Sequence, residues 1–202
     1  MEKDKVIVIT RPNYNRSTRY FYYWGKESIA VAKEKGIKII DLKVERATSK
    51  EFEKAMKLNP CMIIFNGCGN VNKILGFNNE ILIDSDSNCL FSNKTARILG
   101  IRSDEGNRVA YIGHSKPFVF IHSSSIYNPS DDEVAHFFLD PLRDIAIDIL
   151  NGLTSGDAFL KAKELLKENI KKCSDSEYSF LVPFLFWNMN NLVLIGDEDL
   201  RL

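Results

Sequence analysis

The chain has 202 residues, in which 27 lysines and arginines balance 27 aspartates and glutamates, and 45% of the residues are hydrophobic. This length is enough for one hydrophobic core, so we expect a single domain over residues 1–202. The balanced charge gives no electrostatic attraction to nucleic acid or to an anionic membrane, and no apolar run approaches the roughly 20 residues of a membrane-spanning helix.

The cysteines and the start of the sequence predict a reducing compartment. The opening Met-Glu-Lys-Asp-Lys lacks the long apolar region of a secretory signal. Four cysteines, at positions 61, 68, 89 and 173, are scattered without a Cys-x-x-Cys pair. This pattern favours free thiols and a cytoplasmic location. Because no histidines or cysteines have the spacing of metal ligands and no Walker-type glycine loop occurs, we expect neither a metal nor another cofactor.

Strand and helix patterns alternate in the first third of the chain. Apolar, partly β-branched runs predict strands over residues 6–10, 37–41 and 61–65. Capping residues followed by apolar positions at helical spacing predict helices over about 17–35 and 48–59. The order strand-helix-strand-helix-strand indicates a parallel sheet with right-handed crossovers.

The rest of the chain is predicted to add further strands and helices around a long connection from His114 to Ser130, a length that is usual for a functional segment or an insertion. Strands are predicted over 80–84, 108–113, 178–186 and 192–195, and helices over a segment with Ala96, Ile98 and Leu99 and over about 130–139, 140–150 and 154–170. We therefore predict an α/β fold, a three-layer α/β/α sandwich whose mostly parallel sheet of about six strands ends in a C-terminal hairpin.

One turn stands out as the place for a site. The segment Asn66-Gly-Cys-Gly69 directly follows the third strand, and its two glycines flank Cys68. In open α/β sheets, sites form at the carboxyl ends of strands. A cysteine nucleophile needs a base, and His114 ends a later strand, so a Cys68–His114 dyad is geometrically conceivable. The plainer interpretation is a strand-to-loop turn with a half-buried thiol.

The same turn carries a resemblance to a known family. Phe65-Asn-Gly-Cys-Gly-Asn70, placed between two strands, resembles the caspase-like cysteine peptidases of clan CD, and most of all their gingipain-like and other prokaryotic members. In that family one strand ends in a turn with the catalytic histidine, and a following strand ends in the catalytic cysteine. Further stretches that resemble the family, in the same order, are Arg11-Pro12 with Thr18, 110–113, 151–158 and 194–202.

Both catalytic positions of that family are substituted in this chain. Cys68 stands at the histidine position, and Asn93 stands at the cysteine position if 92–100 is the equivalent segment. A thiol does not replace an imidazole base, and an amide is no nucleophile. The resemblance therefore implies a caspase-like fold that has lost peptidase chemistry and acts as a binding or regulatory module. Its peptide or protein partner would lie in a groove at the carboxyl edge of the sheet.

The expected groove residues are Arg11, Asn66, Gly67, Gly69 and Lys116. The resemblance implies a monomer or a homodimer paired through an edge strand.

Two alternative functions remain open. One is an active cysteine endopeptidase with a rearranged dyad, in which Cys68 or Cys89 is the nucleophile and His114 the base. The other is a receiver-like or flavodoxin-like ligand-binding domain. The first strand ends in Thr10-Arg-Pro12, without the clustered acids that a receiver domain needs, which argues against the receiver version.

Overall fold

The computed structural model of the protein describes residues 5–69, 73–84, 96–102, 108–123 and 125–202. The strands are β1 (Val6–Arg11), β2 (Lys38–Lys43), β3 (Met62–Phe65), β4 (Lys73–Leu75), β5 (Ile81–Asp84), β6 (Ala96–Arg102), β7 (Val109–His114) and β8 (Leu192–Gly196). The α-helices are α1 (Arg16–Glu34), α2 (Ser49–Met56), α3 (Glu133–Leu150), α4 (Ser155–Ser174) and α5 (Val182–Asn191). The expected α/β fold is confirmed.

In the described part of the chain, six strands form the main sheet in the order β2-β1-β3-β6-β7-β8, and β4 pairs with β5 in a small separate sheet. β2 and β3 are parallel to β1, whereas the β3–β6, β6–β7 and β7–β8 pairs are antiparallel. The sheet is therefore mixed, and the predicted parallel pairing is confined to its first half. Because β7 runs in the same direction as β3, the carboxyl ends of β1, β2, β3 and β7 meet at one edge, here called the carboxyl edge.

Side chains of the central strands alternate between the two faces of the sheet. Ile7 and Ile9 of β1 join a large apolar cluster with residues of α1, α3 and α4, whereas Val8 joins a smaller cluster with residues of α2 and β5. Helices therefore pack on both faces of the sheet, and β1 is buried along its whole length.

The loop between β1 and α1 is short, and a hydrogen-bonded cap fixes the start of α1. Asn15 is its N-terminal cap: its side chain accepts a hydrogen bond from the backbone N–H of Thr18 at 2.9 Å, and the Thr18 hydroxyl accepts one from the backbone N–H of Asn15 at 3.1 Å. This capping box starts the helix two to three residues before the predicted Ser17 or Thr18. The helix stops near Gly36, whose φ of +69° lies in the left-handed region that favours glycine.

The helix predicted around Ala96, Ile98 and Leu99 is wrong, because these residues lie in strand β6. β6 fills the space between β3 and β7 and pairs with both. Hydrogen bonding on both sides fixes an extended backbone, and this tertiary context overrides the modest helical preference of alanine and leucine.

The strand predicted over 178–186 and the C-terminal hairpin are also wrong. Most of this segment belongs to α5, in which Leu185 and Asn188 are buried together with the preceding Leu181, at helical spacing. β8 therefore has no strand directly before it and pairs with β7 instead. This pairing places β8 at one edge of the main sheet.

α3 is one helix where the sequence predicts two. Its cap is Asp132, whose side chain accepts from the backbone N–H of Ala135. The Asp140–Pro141 pair does not start a second helix, because the Asp140 carboxylate accepts from the indole of Trp24 at 2.8 Å and lies 2.9 Å from Nδ1 of His136. The acidic side chain that predicts a cap is thus occupied by tertiary contacts.

Candidate functional site

A cavity of about 360 Å³ opens at the carboxyl edge of the sheet. Its lining comes from the ends of β3 and β7, from one side of α1 and α3, and from the connection that follows β7. Concave, mostly apolar spaces at this position in α/β folds are the usual place for ligand sites.

Six of the residues singled out from the sequence line this cavity together, namely Asn66, Gly67, Cys68, Gly69, His114 and Lys116. Arg11 does not line it. Cys89 and Asn93 lie outside the described residues, so their predicted roles are not placed in the structure.

Strand register brings Asn66 and His114 to the same face. Ile64 and Ile112 both belong to the large apolar cluster, and each lies two residues before one of the polar pair. Because side chains alternate along a strand, Asn66 and His114 point to that same face at the carboxyl edge. The apolar strands thus position two polar side chains where the sheet ends.

His114 is buried without a hydrogen-bond partner. Its side chain is only 1% exposed, neither ring nitrogen has a partner, and the ring of Phe118 lies 4.9 Å away. Burial lowers the pKa of His114 to about 4, so the imidazole is neutral near pH 7. A buried polar group left unsatisfied costs about 1–3 kcal/mol, so the fold carries this residue at a cost in stability.

Asn66 adds a second unsatisfied donor. Its backbone N–H donates to the Thr10 hydroxyl at 3.2 Å, but its side-chain nitrogen Nδ2 is buried without a partner. Gly25 of α1 lets this amide come close, because a Cβ at that position would lie 3.1 Å from Nδ2 and 2.6 Å from Cδ of Arg11. The glycine therefore lets the side chains of Arg11 and Asn66 pack against α1.

Cys68 is half-buried and has no base beside it among the described residues. The side-chain amide of Asn15 lies 4.0 Å from its sulfur, and no hydrogen bond joins it to His114. Burial and the neighbouring Cys68 raise the pKa of Tyr14 to about 12, and the Tyr14 hydroxyl donates to Asn79 at 2.6 Å. The thiol thus lies beside an amide and a phenol, neither of which accepts a thiol proton near neutral pH.

The two glycines around Cys68 are explained by packing. A Cβ on Gly67 would lie 2.8 Å from the carbonyl oxygen of Leu75, and one on Gly69 would lie 2.6 Å from that of Lys73. The backbone N–H of Leu75 also donates to the Cys68 carbonyl at 2.9 Å. The turn is glycine-rich because β4 packs directly against it.

Arg11 is a structural residue in this geometry. It is 4% exposed and donates to both carboxylate oxygens of Asp41, at 3.0 and 2.5 Å. It also donates to the backbone carbonyl of Tyr22 at 3.0 Å and lies over the ring of that residue. The guanidinium joins β1, β2 and α1 beneath the site.

The apolar walls were not identified as site residues from the sequence. The aromatic part includes Phe21, Trp24, Phe118 and Phe120. Two of these come from α1, where a helical stripe is the ordinary sign of core packing. The other two alternate along the long connection after His114, and that alternation next to a strand end is the signal that could have identified them.

The connection that carries Phe118 is fixed to α5. The side chain of Asn188 accepts from the backbone N–H of Val119 at 2.9 Å and donates to its carbonyl at 2.7 Å. The indole of Trp187 donates to the carbonyl of Pro117 at 3.0 Å. The backbone of this wall is therefore held in place although it has no regular secondary structure.

Charges around the cavity are mostly paired. Arg143 contacts carboxylates of Asp140 and Asp144, at 2.9 and 2.8 Å, and Lys73 lies 3.4 Å from Asp84. Lys116 is exposed at the mouth and makes no ion pair within the described part of the chain. No carboxylate lines the cavity in that part. Among the described residues, His, Cys, Asp and Glu side chains form no group of three or more that could hold a metal ion.

Comparisons of the chain with protein-family models, with curated proteins and with solved structures found no match. Within the residues that the structure describes, no helix is both long and apolar enough to cross a membrane.

Proposed function

We propose that the protein is a caspase-like binding module without peptidase activity, and that a peptide or protein partner occupies the cavity at the carboxyl edge. The observation that carries the proposal is this cavity, which gathers six predicted site residues around an apolar space and, within the described residues, holds no hydrogen-bonded cysteine–histidine pair. We propose the caspase-like family because of the resemblance in the Cys68 turn.

The state of the two candidate catalytic groups supports loss of chemistry. A cysteine nucleophile acts as a thiolate and is normally activated by an adjacent base. His114 is not hydrogen-bonded to Cys68, and an imidazole whose burial lowers its pKa to about 4 is a poor acceptor for a thiol proton. The site is therefore better suited to holding a group than to transforming it.

The proposal extends to assembly and location. The chain acts as a monomer or as a homodimer paired through an edge strand, and β8 is one of the two edges of the main sheet. The location is cytoplasmic, where the thiols of Cys61, Cys68 and Cys173, all free of disulfides, would stay reduced.

A test of this function separates binding from hydrolysis. Random peptides displayed on phage are selected on the intact chain, and the selected peptides are titrated against it and incubated with it. We expect binding without cleavage. Ser17→Trp, which adds bulk in the cavity wall, should weaken binding at least about tenfold. Ser49→Trp, in the first turn of α2 and outside the cavity, is the matched control and should leave binding unchanged.

An active cysteine endopeptidase is the second candidate, because Cys68 and His114 line the same cavity. Cleavage of selected peptides that disappears in both Cys68→Ala and His114→Ala would establish it and refute the binding-only function. Labelling of all four single cysteine-to-alanine variants with a thiol-reactive peptide electrophile gives a second readout, since only a thiolate-biased cysteine reacts fast near neutral pH.

A further inference from the structure

The cavity has aromatic and aliphatic walls that suit an aromatic ring. Aromatic residues, among them Phe21, Trp24, Phe118 and Phe120, line it together with aliphatic side chains of α3 such as Leu139 and Leu142. A volume of about 360 Å³ lies at the small end of ligand pockets. Aromatic rings pack favourably edge-to-face or offset against such walls, so an aromatic group suits them better than a long aliphatic chain, and the volume leaves room beyond one ring.

Hydrogen-bonding groups without partners lie just behind the inner side of the cavity. His114 is at the inner side because it is 1% exposed, whereas Lys116 is exposed at the mouth. Both ring nitrogens of His114 and Nδ2 of Asn66 are unpartnered. A neutral imidazole has one donor and one acceptor nitrogen, and the amide nitrogen is a donor. A hydroxyl group, which both donates and accepts, fits this set.

The charges exclude an ionic group at the inner end. No carboxylate lines the cavity within the described residues, so a buried cation would find no counter-ion there. Arg143 and Lys73 are committed to carboxylates outside the lining, and burial keeps His114 neutral at pH 7. A buried anion would therefore also lack a free positive partner at this depth.

Access to His114 requires one side chain to turn aside. The ring of Phe118 covers the imidazole at 4.9 Å, and the unpartnered nitrogens are closed to solvent. Asn188 holds the backbone of the neighbouring Val119, so the wall opens through rotation of the Phe118 ring rather than through movement of the chain. An incoming ring takes up the aromatic contacts that Phe118 gives up.

We infer that the cavity is a recognition pocket for a tyrosine side chain of the peptide partner, with the phenol hydroxyl bonded to His114 and Asn66 at its inner end. This inference rests on the proposed peptide-binding function and names the residue that enters the site. A phosphate on that hydroxyl would place its charge against a neutral imidazole, so the inner end favours the unmodified phenol.

Two minimal probes test the inference on the intact chain. N-acetyl-tyrosine amide and N-acetyl-phenylalanine amide differ only in the hydroxyl, and their Kd values are measured by NMR titration of the ¹⁵N-labelled protein. We expect the tyrosine probe to bind about tenfold more tightly, the ratio that one buried hydrogen bond of ordinary strength gives. The ring nitrogens of His114 should shift with the tyrosine probe and not with the phenylalanine probe.

Matched variants test whether His114 and Asn66 cause the preference for the tyrosine probe over the phenylalanine probe. His114→Phe keeps a ring of similar shape and removes both polar atoms, so the ratio of the two Kd values should fall to about one. His122→Phe makes the same substitution outside the cavity and should keep the ratio. If His114→Phe does not fold, Asn66→Leu and the His114 nitrogen shifts decide. Equal Kd values for the two probes in the natural chain, or a ratio that survives both His114→Phe and Asn66→Leu, would overturn the inference.

Failure of this inference differs from failure of the proposed function. If selected peptides bind but show no preference for tyrosine, the binding function stands and the tyrosine pocket is wrong. If the tyrosine probe binds the cavity and no peptide does, the pocket stands as a site for small phenols and the peptide-binding function is wrong.

Discussion

Two buried polar residues at the same edge of the sheet have opposite surroundings. Arg11 ends β1, and its guanidinium has two hydrogen bonds to Asp41, one to a backbone carbonyl and an aromatic ring beneath it. His114 ends β7, and neither of its ring nitrogens has a hydrogen bond. Both are almost fully buried, so burial alone does not separate a structural residue from a site residue.

The two residues differ in whether the fold supplies hydrogen-bond partners to the buried side chain. A buried group whose hydrogen bonds are all made within the chain stabilises that arrangement and has nothing left for a ligand. A buried group left unsatisfied costs stability, and a ligand that completes its hydrogen bonds recovers that cost. Arg11 therefore belongs to the scaffold, whereas His114 and Asn66 line the cavity with donors and acceptors unused.

Removal of the Arg11 side-chain charge tests the structural role of this residue and should have the largest effect on the free energy of unfolding. In Arg11→Met, Asp41 keeps a partly buried carboxylate without its partner, and we expect the free energy of unfolding to fall by about 3 kcal/mol. Urea denaturation measures this change. The control is Arg46→Met, because Arg46 is exposed and lies 3.8 Å from Glu51, and the expected change is within about 0.5 kcal/mol. Equal effects for the two variants would contradict the structural role of Arg11.

Loss of the hydrogen bonds that hold the Phe118 wall in place should have an intermediate effect on the free energy of unfolding. In Asn188→Leu, the backbone N–H and carbonyl of Val119 both lose their partner, which should cost about 2 kcal/mol of unfolding free energy. Binding of N-acetyl-tyrosine amide should weaken several-fold, because the Phe118 wall loses its fixed backbone. Asn190→Leu, an exposed position of the same helix, is the control for both measurements. Unchanged probe binding in Asn188→Leu would show that the wall does not shape the pocket.

The sequence predicts the elements of the scaffold better than it predicts the hydrogen bonding of the cavity residues. The β1 run is apolar at every position from Val6 to Ile9, which predicts a central strand, and the Cys68 turn after β3 lies at the cavity as expected. The missing hydrogen bonds of His114 are not predictable, because they depend on which side chains α1 and α3 bring to the same place. β6 and α5 are misassigned for the same reason: pairing with two neighbours and burial at positions 181, 185 and 188 outweigh local preference.

The smallest expected effect tests the unsatisfied residue through pH. Burial lowers the pKa of His114 to about 4, against about 6.5 in the unfolded chain, so between these values the unfolded state binds more protons than the folded state. Stability should therefore fall as the pH decreases through this window. Between pH 7 and pH 5.5 the loss due to His114 should be about 1 kcal/mol.

The measurement is a difference between the natural chain and His114→Phe, each unfolded with urea at both pH values. The difference is needed because the Ser130 carbonyl and Asp140 raise the pKa of His136, and a raised pKa acts in the opposite direction, favouring the folded state as the pH falls. His136 is present in both chains, so its contribution cancels. If the two chains lose the same stability between pH 7 and pH 5.5, the imidazole of His114 is solvated or partnered, and it cannot be the unsatisfied group that a tyrosine hydroxyl completes.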